Sequence, residues 1–229
     1  MPTGTTFEKE RLELLESLRK LSLAADEFEA YPNPHAARIA AIADQTAKSF
    51  GLGARDRLSL RVAAMAHDLG EVAMARDYVH RAGTLDPEER IDLARHPLLG
   101  EREAANAGAD RGAQLLVRWH HEWWNGGGYP DGLRFEQIPL AARILRAADA
   151  YASLTDDRPY RKAYSEQQAR AHLIEWAGLE FDPRVVRALL SLEPIKELNS
   201  YARSTTVDEA APKVADEMTS GLQPLGAEL

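Results

Sequence analysis

The sequence predicts an all-α protein, a compact multi-helix bundle. Apolar residues recur at helical spacing along almost the whole chain, and alternating strand patterns flanked by turn signals are scarce. At 229 residues the chain is long enough for one large domain, alone or with short appendages, whose core buries most of its apolar surface. We therefore expect helices packed around one core.

The first three helices are predicted from apolar residues at helical spacing. One spans about residues 7–25, and a second spans residues 35–50 with Gly51 as its C-terminal cap. A third spans about residues 54–69. This third helix is expected to carry a His-Asp pair near its C-terminal end.

The next helix has the clearest start signal. Asp86 is placed as the N-cap, Pro87 takes the first helical position, and Glu89 follows where a capping box needs it. This helix is expected to carry His96 inward.

Four more helices complete the predicted bundle. They are one over residues 112–123 with two adjacent histidines, one over residues 138–156 that presents Asp149, one that starts at Ser165 and one that starts at Asp182.

Composition excludes several classes of protein. The chain has no run of about 18 apolar residues and no signal-peptide pattern, so a soluble cytoplasmic protein without membrane contact is the default expectation. The formal net charge of -8 argues against binding of a nucleic-acid polymer, which normally needs a basic face. Zero cysteines exclude disulfides and thiolate metal sites, so any metal must be held by His, Asp or Glu.

Histidine and aspartate residues recur in separate short blocks along these helices. One block has the pattern His-x-x-Arg-Ile, another is a His-Asp pair, and a third is a pair of histidines that precedes a glycine-rich turn and a Tyr-Pro step at 129–130. Five side chains in these blocks, together with His96 and Asp149 from two further blocks, can ligate a metal ion. The seven are His35, His67, Asp68, His96, His120, His121 and Asp149.

The order and spacing of these blocks, from His35 to about Leu190, resemble the HD-GYP family. This family is a branch of the HD-domain metal phosphohydrolases that hydrolyses cyclic dinucleotides. Further blocks agree, among them Arg-Pro-Tyr-Arg at 158–161 and Phe-Asp-Pro at 181–183. The resemblance implies an HD-domain bundle with a central di-metal site, and a phosphodiesterase whose first candidate substrate is cyclic di-GMP.

The resemblance also implies that the seven side chains are the metal ligands, with Asp68 as a catalytic bridge between two ions. Many imidazoles with few carboxylates suit first-row transition metals, here Fe or Mn, better than magnesium or calcium. Two such ions would activate a water molecule for in-line attack on phosphorus. Some family members hold a third ion through a glutamate at the place of Tyr31, so its replacement here favours two ions and a linear dinucleotide product.

Four residues match positions that bind the nucleotide or form the signature loop in the family. Arg158 and Arg161 belong to the Arg-Pro-Tyr-Arg block, and Gly128 and Tyr129 belong to the loop. Guanidinium groups suit phosphates and guanine edges, and glycine lets the backbone approach a ligand or partner. The alternatives are surface salt bridges for the arginines and a plain helix stop for the loop.

Three departures from the family pattern bear on activity. Glu71, a candidate catalytic residue, stands where a lysine usually follows the His-Asp pair, so an anion replaces a cation near the phosphate. Asn125 and Ala152 each replace a usual aspartate. Because none of the three is a predicted metal ligand, we expect the metal centre to persist while rate or substrate choice changes.

These observations predict three segments and leave two further interpretations of function. Residues 1–30 form an N-terminal helix, docking segment or linker, residues 31–192 form the catalytic domain, and residues 193–229 form a polar, partly ordered tail. The protein is either the phosphodiesterase, a weakened relative that senses a nucleotide, or a phosphohydrolase for another phosphoester. A signalling partner would dock through the Gly-Tyr-Pro loop or the N-terminal helix.

Overall fold

The computed structural model of the protein describes residues 4–79, 81, 84–157 and 161–192. Within them the regular structure is helical and no β-strand forms, which confirms the predicted all-α class. The α-helices are α1 (Gly4–Phe28), α2 (His35–Ser49), α3 (Ala54–Ala66), α4 (Leu69–Met74), α5 (Pro87–Leu93), α6 (His96–Asn106), α7 (Arg111–Trp119), α8 (Leu140–Thr155), α9 (Glu166–Glu175) and α10 (Pro183–Leu190).

The apolar core lies between α2, α3, α7 and α8. Fully buried side chains from these helices include Ile39, Leu60, Val117 and Ile144. Helix α1 packs onto the same core through Leu18. A buried leucine or isoleucine contributes about 1.5–3 kcal/mol to folding, so these side chains stabilise the packing of the four helices.

Several predicted helix boundaries are confirmed. Asp86 and Glu89 form the capping box at the start of α5, and Ser165 forms another at the start of α9. Asp182 accepts a hydrogen bond from the first turn of α10. Gly51, with φ of 71°, follows α2 in the left-handed conformation that glycine adopts without strain.

For three helices the predicted end is wrong, and each error lies at a histidine. The helix expected over residues 54–69 breaks between α3 and α4 at His67, and the one over residues 112–123 ends before His120. Helix α5 also stops short of His96, which starts α6 instead. In each case the histidine ring donates through Nδ1 to a carbonyl oxygen near the end of the preceding helix, and that helix does not continue through the histidine.

Gly70 lets α4 lie directly against α6. A Cβ at this position would lie 2.0 Å from the carbonyl oxygen of His96 and 2.7 Å from the amide nitrogen of Gly100. Any larger residue would therefore push the two helices apart. This contact brings the His67-Asp68 corner next to His96.

Three further sequence predictions concern the tail, Arg158 and the division between the N-terminal segment and the catalytic domain. Residues 193–229, the predicted tail, and Arg158 lie outside the described residues. The division at residue 30 stays a prediction. Among the described helices, none is both long enough and apolar enough to cross a membrane.

Candidate metal centre

Three of the predicted ligands share one local geometry at a helix end. The Nδ1 atoms of His67, His96 and His120 lie 2.9, 2.9 and 2.6 Å from the carbonyl oxygens three residues before them, at Ala64, Leu93 and Val117. A carbonyl oxygen can only accept, so each Nδ1 carries the proton. The three Nε2 atoms are therefore left as the metal-binding atoms, as in the usual arrangement of a ligating histidine.

The first ligand group consists of Asp68, His96, His120 and His121, whose ligand atoms lie within 4.8 Å of one another. The Nε2 atoms of His96 and His120 are 3.3 Å apart. Two neutral rings that both donate through Nδ1 present two lone pairs to each other at this distance. A cation between them removes the repulsion, so the pair is suited to a shared metal ion.

The second group consists of His35, His67 and Asp149. His35 donates through Nδ1 to Asp156 at 2.9 Å and directs Nε2 towards Asp149, whose Oδ1 is 3.8 Å away. All three ligands are buried. The carboxylate of Asp156 therefore sets the ring orientation and tautomer of His35, as outer carboxylates do in metal sites.

Asp68 lies between the two groups. Its Oδ2 is 2.7 Å from Nε2 of His67, while its Oδ1 is 3.6 Å from Nε2 of His96 and 3.8 Å from that of His120. The contact with His67 lacks hydrogen-bond geometry, and Nε2 of His67 is buried without a hydrogen-bond partner. Oδ2 of Asp68 and Nε2 of His67 are therefore in close contact without a hydrogen bond between them. This is the arrangement expected of a carboxylate that joins two metal sites.

The charges of the buried ligands are strongly perturbed. Burial, followed by repulsion from His120, lowers the pKa of His96 to about 4 and that of His121 well below its usual value. Burial alone would lower the pKa of His67 as well, but Asp68 and Asp149 outweigh it and raise the pKa to about 10, so binding of a metal ion at its Nε2 must release a proton. Burial alone would raise the pKa values of Asp68 and Asp149, but the neighbouring histidines outweigh it and lower both pKa values.

The chemistry of the donor set fits transition metals. Five imidazoles and two carboxylates supply nitrogen and oxygen ligands, whereas magnesium and calcium prefer shells of oxygen alone. Two of the rings are held neutral and ready to bind, as metal ligation requires. The residues present thus fit two ions, one for each group.

A cavity of about 340 Å³ opens beside both groups. Asp68, His121 and Asp149 form part of its wall, together with Glu71. Glu71 is buried, and its Oε1 lies 3.9 Å from Nδ1 of His96. The predicted proximity of Glu71 to the ligands is thus present in the structure, and its carboxylate faces the space that a substrate would fill.

Gly128 and Tyr129 pack behind His121. A Cβ on Gly128 would lie 2.3 Å from the carbonyl oxygen of His121 and from the amide nitrogen of Trp123, so only glycine fits. The Tyr129 ring stacks on the His121 ring, with 4.9 Å between centroids. In the structure both residues therefore support a metal ligand, and the described wall of the cavity is formed by other side chains.

Arg161 lies at the edge of the cavity and is held by backbone atoms. Its guanidinium donates to the carbonyl oxygens of Ser153, Leu154 and Lys162 and packs over the ring of Tyr164. Ser153 and Leu154 belong to the cavity wall. The geometry therefore connects Arg161 to the end of α8, beside two residues of the cavity wall.

Sequence reasoning missed two charged pairs around the ligands. Asp156 accepts from both His35 and Arg38, the latter at 2.6 Å. Arg146 contacts Asp149 at 3.2 Å and also pairs with Glu180. Helical spacing from Asp149 is the signal that could have identified Asp156 and Arg146. Asp156 follows Asp149 by two helical turns and Arg146 precedes it by about one, so all three share a face of α8 or its continuation.

The chain is similar in sequence to an HD-domain family model and to named phosphodiesterases. The family model described as "HD domain" matches residues 21–185. The cyclic di-GMP phosphodiesterase response regulator RpfG of Xanthomonas campestris is 35% identical over 187 residues, which are 80% of this chain and 48% of that protein. The 3'3'-cGAMP-specific phosphodiesterase 2 of Vibrio cholerae is 30% identical over 198 residues, 82% of this chain and 37% of that protein.

Solved structures share the fold at low identity. The cyclic GMP-AMP phosphodiesterase V-cGAP3 of V. cholerae superposes with a TM-score of 0.67 at 19% identity, covering 84% of this chain and 53% of that one. The HDGYP protein Bd1817 of Bdellovibrio bacteriovorus gives 0.57 at 19% identity, covering 69% and 50%. The chain spans about half the length of such relatives, or less. With the family model matched over most of its length, the chain belongs to the HD-domain family and carries the sequence pattern of its HD-GYP branch.

Proposed function

We propose that the protein is a metal-dependent phosphodiesterase that opens a cyclic dinucleotide, cyclic di-GMP in the first place, to the linear dinucleotide. The observation that carries the proposal is the junction at Asp68, which lies between two groups of candidate metal ligands, all buried except the half-buried His121, beside one cavity. Relatives named as phosphodiesterases for cyclic di-GMP and for 3'3'-cGAMP support the substrate class.

The residues of this chain would divide the work among them. Two iron or manganese ions, when bound, supply Lewis acidity and an activated water for attack on phosphorus. Asp68 orients both sites, while His35, with Asp156 behind it, holds its ring on the side of Asp149. Burial of the ligands excludes competing water and strengthens their electrostatic effect on a phosphate.

The expected product rests on the number of ions. Tyr31, at the place of the third-ion glutamate, stacks on His35 with 3.7 Å between ring centroids and contacts Ser153 through its hydroxyl at 3.2 Å. Glu29 lines the cavity but belongs to neither ligand group found among the described residues. These contacts favour two ions, and by likeness to the family a linear product.

The test is an anaerobic assay of the metal-loaded protein. Purified protein loaded with iron or manganese is incubated with cyclic di-GMP, 3'3'-cGAMP and cyclic di-AMP, and the products are separated chromatographically. Conversion of a cyclic to a linear dinucleotide, absent from the Asp68→Asn variant, is the expected result. Protein that carries two ions per chain and leaves all three substrates intact would contradict the proposal.

A binding module is the second candidate, and the position of Glu71 favours it. A buried carboxylate in the cavity wall repels a substrate phosphate where the family has a cation. Such a module would bind cyclic di-GMP without turnover and pass the signal to a protein docked at the Gly-Tyr-Pro loop or α1. Binding measured by calorimetry, with no product by chromatography, would identify it.

A further inference from the structure

One cation lies among the acidic side chains of the cavity. Of the described residues that line it, five are carboxylic acids, Glu29, Asp68, Glu71, Asp149 and Glu180, and one carries a guanidinium, Arg146. A cyclic dinucleotide adds two negative phosphates to this wall. Metal ions offset part of that charge, and Arg146 is the protein's own contribution.

Arg146 contacts one member of each ligand group. Its Nη1 is 3.3 Å from Nδ1 of His121 and 3.2 Å from Oδ2 of Asp149. A phosphate hydrolysed by two ions must lie close to both of them. A side chain that touches a ligand of each group is therefore within reach of that phosphate.

The guanidinium of Arg146 is held in place with capacity left to bind. Its Nη2 donates to Glu180, and its Nε is buried without a hydrogen-bond partner. Burial opposes its charge, yet the neighbouring carboxylates raise the pKa of Arg146, so it stays cationic. A cationic guanidinium that lines the cavity is suited to a phosphate oxygen, which accepts strong charge-assisted hydrogen bonds.

We propose that Arg146 is a phosphate-binding residue of the active site, and that it supplies from α8 the positive charge that Glu71 does not. In this role it donates to an oxygen of the scissile phosphate, and Glu180 competes with the phosphate for the guanidinium. The inference rests on the proposed function and names a residue outside the predicted substrate-binding set.

Arg143 provides a matched control, since it lies one helical turn earlier on α8. It too pairs with a buried carboxylate, Asp182, at 2.6 Å, and its Nε is also buried without a hydrogen-bond partner. Its guanidinium packs over Trp124, with 5.4 Å to the ring centroid. The two arginines thus differ mainly in that Arg146 reaches the metal ligands.

The experiment compares Arg146→Met, Arg146→Lys and Arg143→Met at matched metal content. Titration calorimetry with inorganic phosphate reports binding without turnover, and kinetics with cyclic di-GMP report the effect on substrate. Arg146→Met is expected to weaken phosphate binding about tenfold or more and to lower kcat/KM by a similar factor. Arg146→Lys should recover part of the loss, and Arg143→Met should stay within about twofold of wild type.

Glu180→Gln gives a change of opposite sign and guards against a misfolded Arg146→Met. Because this substitution removes the competing carboxylate, phosphate binding is expected to tighten about threefold. A purely structural role for the Arg146–Glu180 pair predicts weaker binding or none of this gain. Circular dichroism and elemental analysis of each variant show whether fold and metal are retained.

The outcomes separate this inference from the proposed function. Hydrolysis of cyclic di-GMP at equal rates by wild type and Arg146→Met would overturn the inference alone. Loss of metal from Arg146→Met and Arg146→Lys would overturn it too, by making Arg146 a residue that positions the ligands. Phosphate binding that depends on Arg146, in a protein that leaves every cyclic dinucleotide intact, would retain the inference and overturn the proposed function.

Discussion

The two sides of the cavity are built by different means. On the metal side, three histidines are held by carbonyls at the ends of α3, α5 and α7, and the ring nitrogens left over converge. On the side where nucleotide binding is predicted, called the nucleotide side below, Arg161 lies on a loop and donates to three backbone carbonyl oxygens. Short-range geometry thus sets the ligands rigidly, while binding residues depend on how a loop is placed. We expect substitutions on the metal side to act in an all-or-none way and those on the nucleotide side to act gradually.

The largest effect is expected from Asp68→Asn. This side chain joins both ligand groups, so the loss of its charge should release at least one ion and reduce turnover at least about 1,000-fold, equivalent to about 4 kcal/mol. Elemental analysis and product chromatography measure the two effects. Full metal content with turnover near that of wild type would show that Asp68 does not bridge.

Asp156→Asn tests whether the metal side extends behind the ligands. The carboxylate holds Nδ1 of His35 and is itself held by Arg38, so the variant should bind metal about 10- to 100-fold more weakly. The adjacent Asp157→Asn is the control, because Asp157 is exposed and accepts from the amide of Ala163. Equal metal affinity in the two variants would remove Asp156 from the centre.

Glu71→Lys tests the boundary between the two sides. Replacing an anion in the cavity wall by a cation should raise phosphodiesterase activity up to about tenfold, or about 1.4 kcal/mol in the barrier. Turnover is compared with wild type at matched metal loading. If the two rates are equal, Glu71 does not inhibit, and the case for a binding module loses its main support.

An effect no larger than about tenfold is also expected from Arg161→Ala on the nucleotide side. Losing its hydrogen bonds to the carbonyls of Ser153 and Leu154 should loosen the loop and raise KM for cyclic di-GMP by about tenfold, with metal content unchanged. Arg158→Ala is expected to act in the same direction. Unchanged substrate affinity in both variants would exclude these arginines from the site, and loss of metal would contradict the separation of the two sides.

The fold class could be predicted because it depends on local patterns, whereas the seven candidate metal ligands were predicted from the resemblance to the HD-GYP family. Helical spacing of apolar residues identifies the bundle, and the capping box at Asp86 identifies a helix start. The breaks at His67 and His120 could not be predicted, since a ring that bonds a helix-end carbonyl leaves no mark in hydrophobic periodicity. Helical spacing from Asp149 could have suggested Asp156, but its pairing with His35 could not be predicted because the two residues are distant in sequence.

The supporting roles of the loop residues were also beyond reach from sequence. Gly128 matches the signature loop, but only the packing of its backbone against His121 shows why a side chain is excluded there. Likewise, the contact of Arg146 with Asp149 lies within α8, but its pairing with Glu180 joins two segments that are distant in sequence. Long-range pairing of charges depends on the assembled fold.

Metal content is the decisive measurement, because the proposed phosphodiesterase needs two groups of ligands that each hold an ion. Protein expressed with added iron or manganese and purified anaerobically is analysed for metal by elemental methods, with Asp68→Asn beside it. We predict two transition-metal ions per wild-type chain and at least one fewer in the variant. A reproducible content near zero in the wild-type protein would contradict the account.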